Sequence, residues 1–189
     1  MFQIGPAGGG KTYAAVATAV ALHRAKFVHR IVICRPAVGA GESLGWLKGG
    51  LEEKMLPWMQ PIYDALHKAG GDTYRNAPFV EVCTFEHMRG RTFEDAAIIV
   101  DEIQNAKYEQ IQMVMTRLGE GSKMFLQGDP AQCDLPQRDR GGLELVLKLL
   151  EGNDEFPVVH YRDSDNLRHP LVGQLTRIFA SHRALQDLP

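Results

Sequence analysis

The segment Gly5-Pro6-Ala7-Gly8-Gly9-Gly10-Lys11-Thr12 constrains the fold of this chain more than any other feature. It fits the pattern G-x-x-x-x-G-K-S/T, which has a chemical rationale only between a strand and a helix. Glycines let the backbone turn tightly enough for its N–H groups to point inward at phosphate oxygens. The helix that follows adds its own N-terminal N–H groups to the nest. Lys11 then extends toward the β- and γ-phosphates, and the Thr12 hydroxyl becomes a ligand for Mg²⁺. The eight residues from Gly5 to Thr12 therefore read as a nucleotide-phosphate site.

The flanking pattern supplies the required context. Phe2 to Ile4 reads as a short strand and Lys11 to Ala25 as a helix. Apolar runs predict further strands at Arg30–Cys34, Phe79–Cys83, Ala97–Val100, Lys123–Leu126 and Val158–Tyr161. Helical periodicity covers Leu51 to Lys68 with interruptions at Pro57 and Pro61, then Lys107–Leu118, Gly142–Leu150 and Pro170–His182. A Gly-rich loop spans Val38 to Gly50. Strands that are apolar on both faces, alternating with helices, predict a parallel sheet covered on both sides. The expected fold is a three-layer α/β sandwich with a mostly parallel central sheet, and 189 residues suit one domain over 1–189.

Composition narrows the function. The formal net charge is −2, so the chain does not coat nucleic acid or anionic membrane indiscriminately, and any such binding is local. No apolar stretch approaches the ~20 residues of a membrane span. The N-terminus lacks a basic segment followed by an apolar one. Cys34, Cys83 and Cys133 are scattered without metal-type spacing, which fits a reducing compartment. A cytoplasmic location is the expectation.

Two further strand ends carry polar chemistry. Ala96-Ala97-Ile98-Ile99-Val100-Asp101-Glu102 is an apolar strand closing on two carboxylates. The C-terminal edge of a parallel sheet is where ligands bind, so Asp101 is placed to hold the hydration shell of Mg²⁺. Glu102 beside it is placed to polarise an attacking water as a general base. Asp101 as a helix cap is the alternative. A carboxylate pair favours hydrolysis over transfer, because a kinase activates its acceptor from the acceptor side. Lys123–Leu126 opens similarly into Gln127-Gly128-Asp129-Pro130-Ala131-Gln132. There Gln132 is suited to sense the γ-phosphate, as is Gln104 after the carboxylate pair.

Seven segments in order carry a resemblance: GPAGGGKT at Gly5–Thr12, RPAVGAGESLGWLKG at Arg35–Gly49, MRGRT at Met88–Thr92, DEIQN at Asp101–Asn105, TRLGEGSK at Thr116–Lys123, GDPAQCDLP at Gly128–Pro136 and RHPLV at Arg168–Val172. Together they resemble the PhoH family of P-loop ATPases, related to superfamily-1 helicases. The resemblance implies a RecA-like P-loop NTPase core, ATP and Mg²⁺ as ligands, RNA or single-stranded DNA as partner, and homo-oligomers that form rings in some members. It departs from the family where GTGKT becomes GGGKT, where DEAQN becomes DEIQN, and in the four residues, Met1 to Ile4, that precede the loop. Longer lead-ins in the family often carry a Gln that reads adenine.

Arginines supply the remaining candidates. Arg89 and Arg91 flank Gly90, two forks suited to clamping a phosphodiester. Arg35 resembles the residue of a helicase motif that lies toward the nucleic-acid path. Trp46 and Trp58 suit either base stacking or the core. Phosphoryl transfer also calls for a cation on the γ-phosphate. The candidates are Arg168, folded back from RHPLV or supplied by a neighbouring subunit, with Arg117, Arg138 and Arg140 behind it; the alternative for Arg168 is a structural pair with Asp163 or Asp165. Two functions compete: a nucleic-acid-dependent ATPase, and an ATP-driven switch or assembly factor.

Overall fold

Every residue of Ala96–Val100 is buried, as a strand covered on both faces requires. This strand, β4, lies near the middle of a six-stranded sheet in a computed structural model that describes residues 1–36, 51–75, 77–167, 171–175 and 178, with 51–58 described by backbone alone. The others are β1 (Phe2–Ile4), β2 (Arg30–Arg35), β3 (Val80–Thr84), β5 (Lys123–Gly128) and β6 (Val158–His160). Their order is β3-β2-β4-β5-β1-β6, and every pairing is parallel.

Alternation along the strands builds two cores. Ile31, Ile33, Ala97, Ile99 and Phe125 face Ala15, Val16 and Ala19 of α1 (Lys11–Arg24) and Met59, Ile62 and Leu66 of α2 (Leu51–Gly70). On the opposite face Val32, Cys34, Ile98, Val100 and Leu126 meet the remaining helices. After two short helices, α3 (Asp72–Arg75) and α4 (Phe85–Met88), these are α5 (Tyr108–Met115) and α6 (Gly142–Leu149). Ile111 and Val114 come from α5, Leu143 and Val146 from α6. Three layers result, as the strand pattern predicts. Each fully buried aliphatic side chain contributes about 1.5–3 kcal/mol, so the sheet is held from both sides.

The structure corrects the sequence reading at several elements. Pro57 and Pro61 do not interrupt a helix, because α2 runs continuously from Leu51 to Gly70. A helix-interior proline costs ~3 kcal/mol, and burial of Met59, Ile62, Ala65 and Leu66 against α1 and the sheet offsets it. The short helices α3 and α4 carry too few residues for periodicity to announce them. Helix α5 is shorter at both ends than the periodicity suggests. The Gly-rich loop at 38–50 lies outside the described residues, as does most of the helix expected over 170–182; residues 171–175 are helical. Among the described residues no helix is long and apolar enough to cross a membrane.

All six strands run the same way, so all their C-terminal ends share one edge. The phosphate loop follows β1, Arg35 ends β2, Asp101 follows β4, and Gly128 ends β5. Strand β5 lies between β1 and β4 and separates the loop from the carboxylates by one strand's width.

Candidate active site

The loop after β1 has the backbone its glycines allow. Gly10, immediately before α1, is left-handed at φ 83°, where a side chain strains the turn. Gly5 has φ 146°, and a Cβ there would stand 2.3 Å from the Tyr161 carbonyl oxygen. That contact locks the loop to the segment after β6, whose Tyr161 N–H donates to Ile4 and whose Leu167 N–H donates to Gly8. Lys11 folds over the loop, its Nζ donating to the carbonyls of Gly5 at 2.6 Å and Pro6 at 2.8 Å. The ammonium is thus held in the mouth of the loop.

Asp101 is 7% exposed beside this loop. Burial pushes its carboxyl up to about 6; Glu102 adds to the rise, while Arg35 and Lys11 oppose it. Lys11, Arg35 and Glu102 therefore all act electrostatically on Asp101, although the four come from three separate strand ends.

Glu102 is the strained residue of the site. It is a non-glycine residue in the left-handed region, φ 55° and ψ 39°, a conformation that costs on the order of 1–2 kcal/mol. The turn aims its carboxylate at two donors. Arg35 Nη2 donates to Oε1 at 3.0 Å, and Gln104 Nε2 donates to Oε2 at 2.6 Å. Gln104 in turn accepts from the Asp129 N–H at 3.1 Å and donates to the Gln132 carbonyl at 3.4 Å. The Gln132 side chain donates to Asp129. Asn105 clasps Asp134 in the same loop, accepting from its N–H at 2.7 Å. The strand ends of β2, β4 and β5 are thereby tied into one hydrogen-bonded line.

These groups border a cleft of about 850 Å³, lined by the loop residues Ala7 to Thr12 and by Arg35, Asp101, Glu102, Gln127 and Gln132. That volume suits a nucleotide-sized ligand. Among the described residues no three His, Cys, Asp or Glu side chains converge as a metal cage. Mg²⁺ needs none, since it takes one or two carboxylates, waters and substrate phosphates. A glycine loop at a helix start, a lysine folded over it, Thr12 at that helix start and a buried aspartate fit a magnesium nucleotide.

The candidate residues divide by position. Lys11, Thr12, Asp101, Glu102 and Gln132 line the cleft, and Gln104 braces it from beneath. Arg35 also lines the cleft, paired with Glu102 rather than standing on a separate surface. Arg91 forms a two-pronged ion pair with Glu81 and lies over the Phe93 ring at 4.4 Å. Arg89 is exposed. Arg117 donates to the carbonyls of Met113 and Arg91, and Arg140 to that of Leu135. Arg138 lies beside Asp139 at 3.7 Å. Arg168, Trp46 and the Trp58 side chain lie outside the described residues. Sequence reasoning assigned no role to Asn105, Asp129 or Asp134, although DEIQN and GDPAQCDLP contain them; only the contact between those loops exposes their bracing role.

Comparison with known proteins shows the family to which this chain is similar. The chain is 43% identical over 183 residues to a PhoH-like protein of Bacillus subtilis, covering 95% of this chain and 57% of that one. It is 44% identical over 186 residues to a PhoH-like protein of Mycobacterium tuberculosis, covering 96% and 53%. Protein PhoH of Escherichia coli K12 is 38% identical over 186 residues, covering 95% and 52%. The chain thus spans about half the length of the curated relatives it matches. The family described as PhoH-like protein matches residues 1–180. With an all-parallel α/β sheet and a phosphate loop at its edge, the chain belongs to the PhoH family, a P-loop NTPase-like family.

Proposed function

We propose that this chain binds ATP with Mg²⁺ in the cleft and hydrolyses the β–γ phosphoanhydride bond, coupled to binding or remodelling of single-stranded RNA or DNA. The observation that carries the reading is the strained Glu102, held by Arg35 and Gln104 beside Asp101 and the phosphate loop. The loop N–H groups and Lys11 bind the phosphates, Lys11 exchanging its two carbonyl partners for phosphate oxygens. Thr12 and Asp101 would hold Mg²⁺, which would supply positive charge against the phosphates. Glu102 accepts the proton of the attacking water. A carboxylate has about four lone-pair sites, so the two donors on Glu102 fix its orientation and leave it able to accept. Gln132 and Gln104 join the γ-phosphate end to the β5 loop and transmit its loss. The family's ring tendency supports a homo-oligomer, and the cytoplasm supplies the nucleotide.

Glu102→Gln tests the assignment. It is expected to bind ATP as the parent does and lose turnover by roughly 10²–10⁴-fold, the usual contribution of a general base. Hydrolysis at the parental rate would overturn the role of Glu102.

The ion pair of Arg91 with Glu81 favours a second reading, because it engages one fork of the expected clamp. In that reading the chain is an ATP-driven switch or assembly factor without nucleic-acid translocation. Single-stranded RNA or DNA stimulates ATP turnover in the first reading and leaves it unchanged in the second.

A further inference from the structure

Three buried amide atoms beneath the phosphate loop have no hydrogen-bond partner: Gln3 Oε1, Gln127 Nε2 and Gln127 Oε1. Gln127 is 1% exposed and Gln3 is 3% exposed. The two residues are direct neighbours in the register of β1 and β5. Their strand neighbours Phe2, Ile4 and Leu126 point to one core, so both glutamines point to the other, where Phe125 and Ile99 meet α1. That is the helix that begins with Lys11 and Thr12.

Register also brings Asp101 to this spot. The last paired residues of β4 and β5 are Val100 and Leu126, so Asp101 and Gln127 are the next residues along adjacent strands. Both line the cleft. A leucine or valine at 127 would continue the apolar face without orphaned polar atoms, and an unpaired amide there is unfavourable. A buried polar group without a partner at the floor of a cleft calls for a ligand.

We propose that Gln127 is a positioning residue for the hydration shell of Mg²⁺, an inference that rests on the magnesium-nucleotide reading above. Mg²⁺ keeps several of its waters when bound, and each presents protons that need acceptors. Beside Asp101 and Glu102 a third carboxylate would add like charge, whereas an amide oxygen accepts without it. The amide NH₂ of the same side chain donates to a carboxylate or phosphate oxygen. Gln3 lies beside Gln127 on the β1 side.

The test measures binding of a fluorescent ATP analogue, with EDTA or with graded Mg²⁺, to the wild-type chain and to Gln127→Met, together with thermal unfolding of both without nucleotide. Gln127→Met is expected to raise the Mg²⁺ concentration at half-saturation about tenfold or more, the usual effect of losing a partner behind a metal ligand. Its metal-free nucleotide affinity changes far less. Its unfolding temperature without nucleotide rises, because the orphaned amide is gone. Three results overturn the proposal. An unchanged Mg²⁺ half-saturation means that the amide does not serve the metal. A lower unfolding temperature with unchanged Mg²⁺ dependence means that Gln3 and Gln127 simply pair with each other. A wild-type chain whose binding ignores Mg²⁺ removes the magnesium-nucleotide reading itself, whereas failure in the variant alone leaves that reading standing.

Discussion

Asp101→Asn is predicted to stabilise the nucleotide-free chain while destroying its response to magnesium nucleotide. Burial raises the Asp101 carboxyl from 3.8 to about 6, so the folded state holds this proton more tightly than the unfolded chain does. Below about pH 3.8 the group is neutral in both states and has no effect. From about pH 3.8 up through about 6 the unfolded chain ionises while the buried group keeps its proton, so fold stability falls across that window and is constant above it. A difference of about two pK units, at about 1.36 kcal/mol each, corresponds to roughly 3 kcal/mol. Asparagine keeps the shape and cannot ionise. At pH 8 the variant should therefore unfold about 6–12 °C higher than the parent, taking about 2–4 °C per kcal/mol for a chain of this size. At pH 4 the two should nearly coincide. Thermal unfolding across pH 4–8 makes the measurement. Adding Mg²⁺ and ATP should then raise the parent's unfolding temperature and leave the variant's almost unmoved, because a ligand stabilises only the state it binds. Parallel pH profiles for the two proteins would refute the buried-carboxylate argument, whatever the activity of either.

Two further predictions concern the arginines. If Arg89 and Arg91 both hold single-stranded nucleic acid, changing each to Ala should lower the slope of log affinity against log salt by about 0.7 per lost phosphate contact. The ion pair with Glu81 predicts instead that Arg91→Ala leaves the slope unchanged and lowers stability, so that only Arg89→Ala alters binding; salt titrations of the two single variants separate these outcomes. An arginine finger supplied by a neighbouring subunit predicts that a Lys11→Ala chain mixed with an Arg168→Ala chain recovers ATPase activity. A specific activity independent of protein concentration, with no recovery on mixing, would reject a finger in trans.

The layered fold and the phosphate loop were legible in the sequence because both are local signals. A short glycine pattern before a helix, and strands apolar on both faces, read directly along the chain, as does the place of Asp101 and Glu102 at a strand end. Whatever depends on strands lying side by side was hidden. Arg35 and Glu102 pair across 67 residues because β2 and β4 are neighbours in the sheet, which no periodicity states. The partner of Arg91 is equally hidden, because only β3 brings Glu81 to it. The prolines of α2 read as breaks because propensity is local, whereas the packing that overrides it is not. Gln3 and Gln127 look like ordinary polar residues in strands, and only parallel register buries them together under the glycine loop after β1. Sequence by itself determined which chemical groups the chain carries and the segments that present them. Tertiary structure alone decided which of those groups meet, because a parallel sheet joins strands that are distant along the chain and sets their side chains against one another by lateral register.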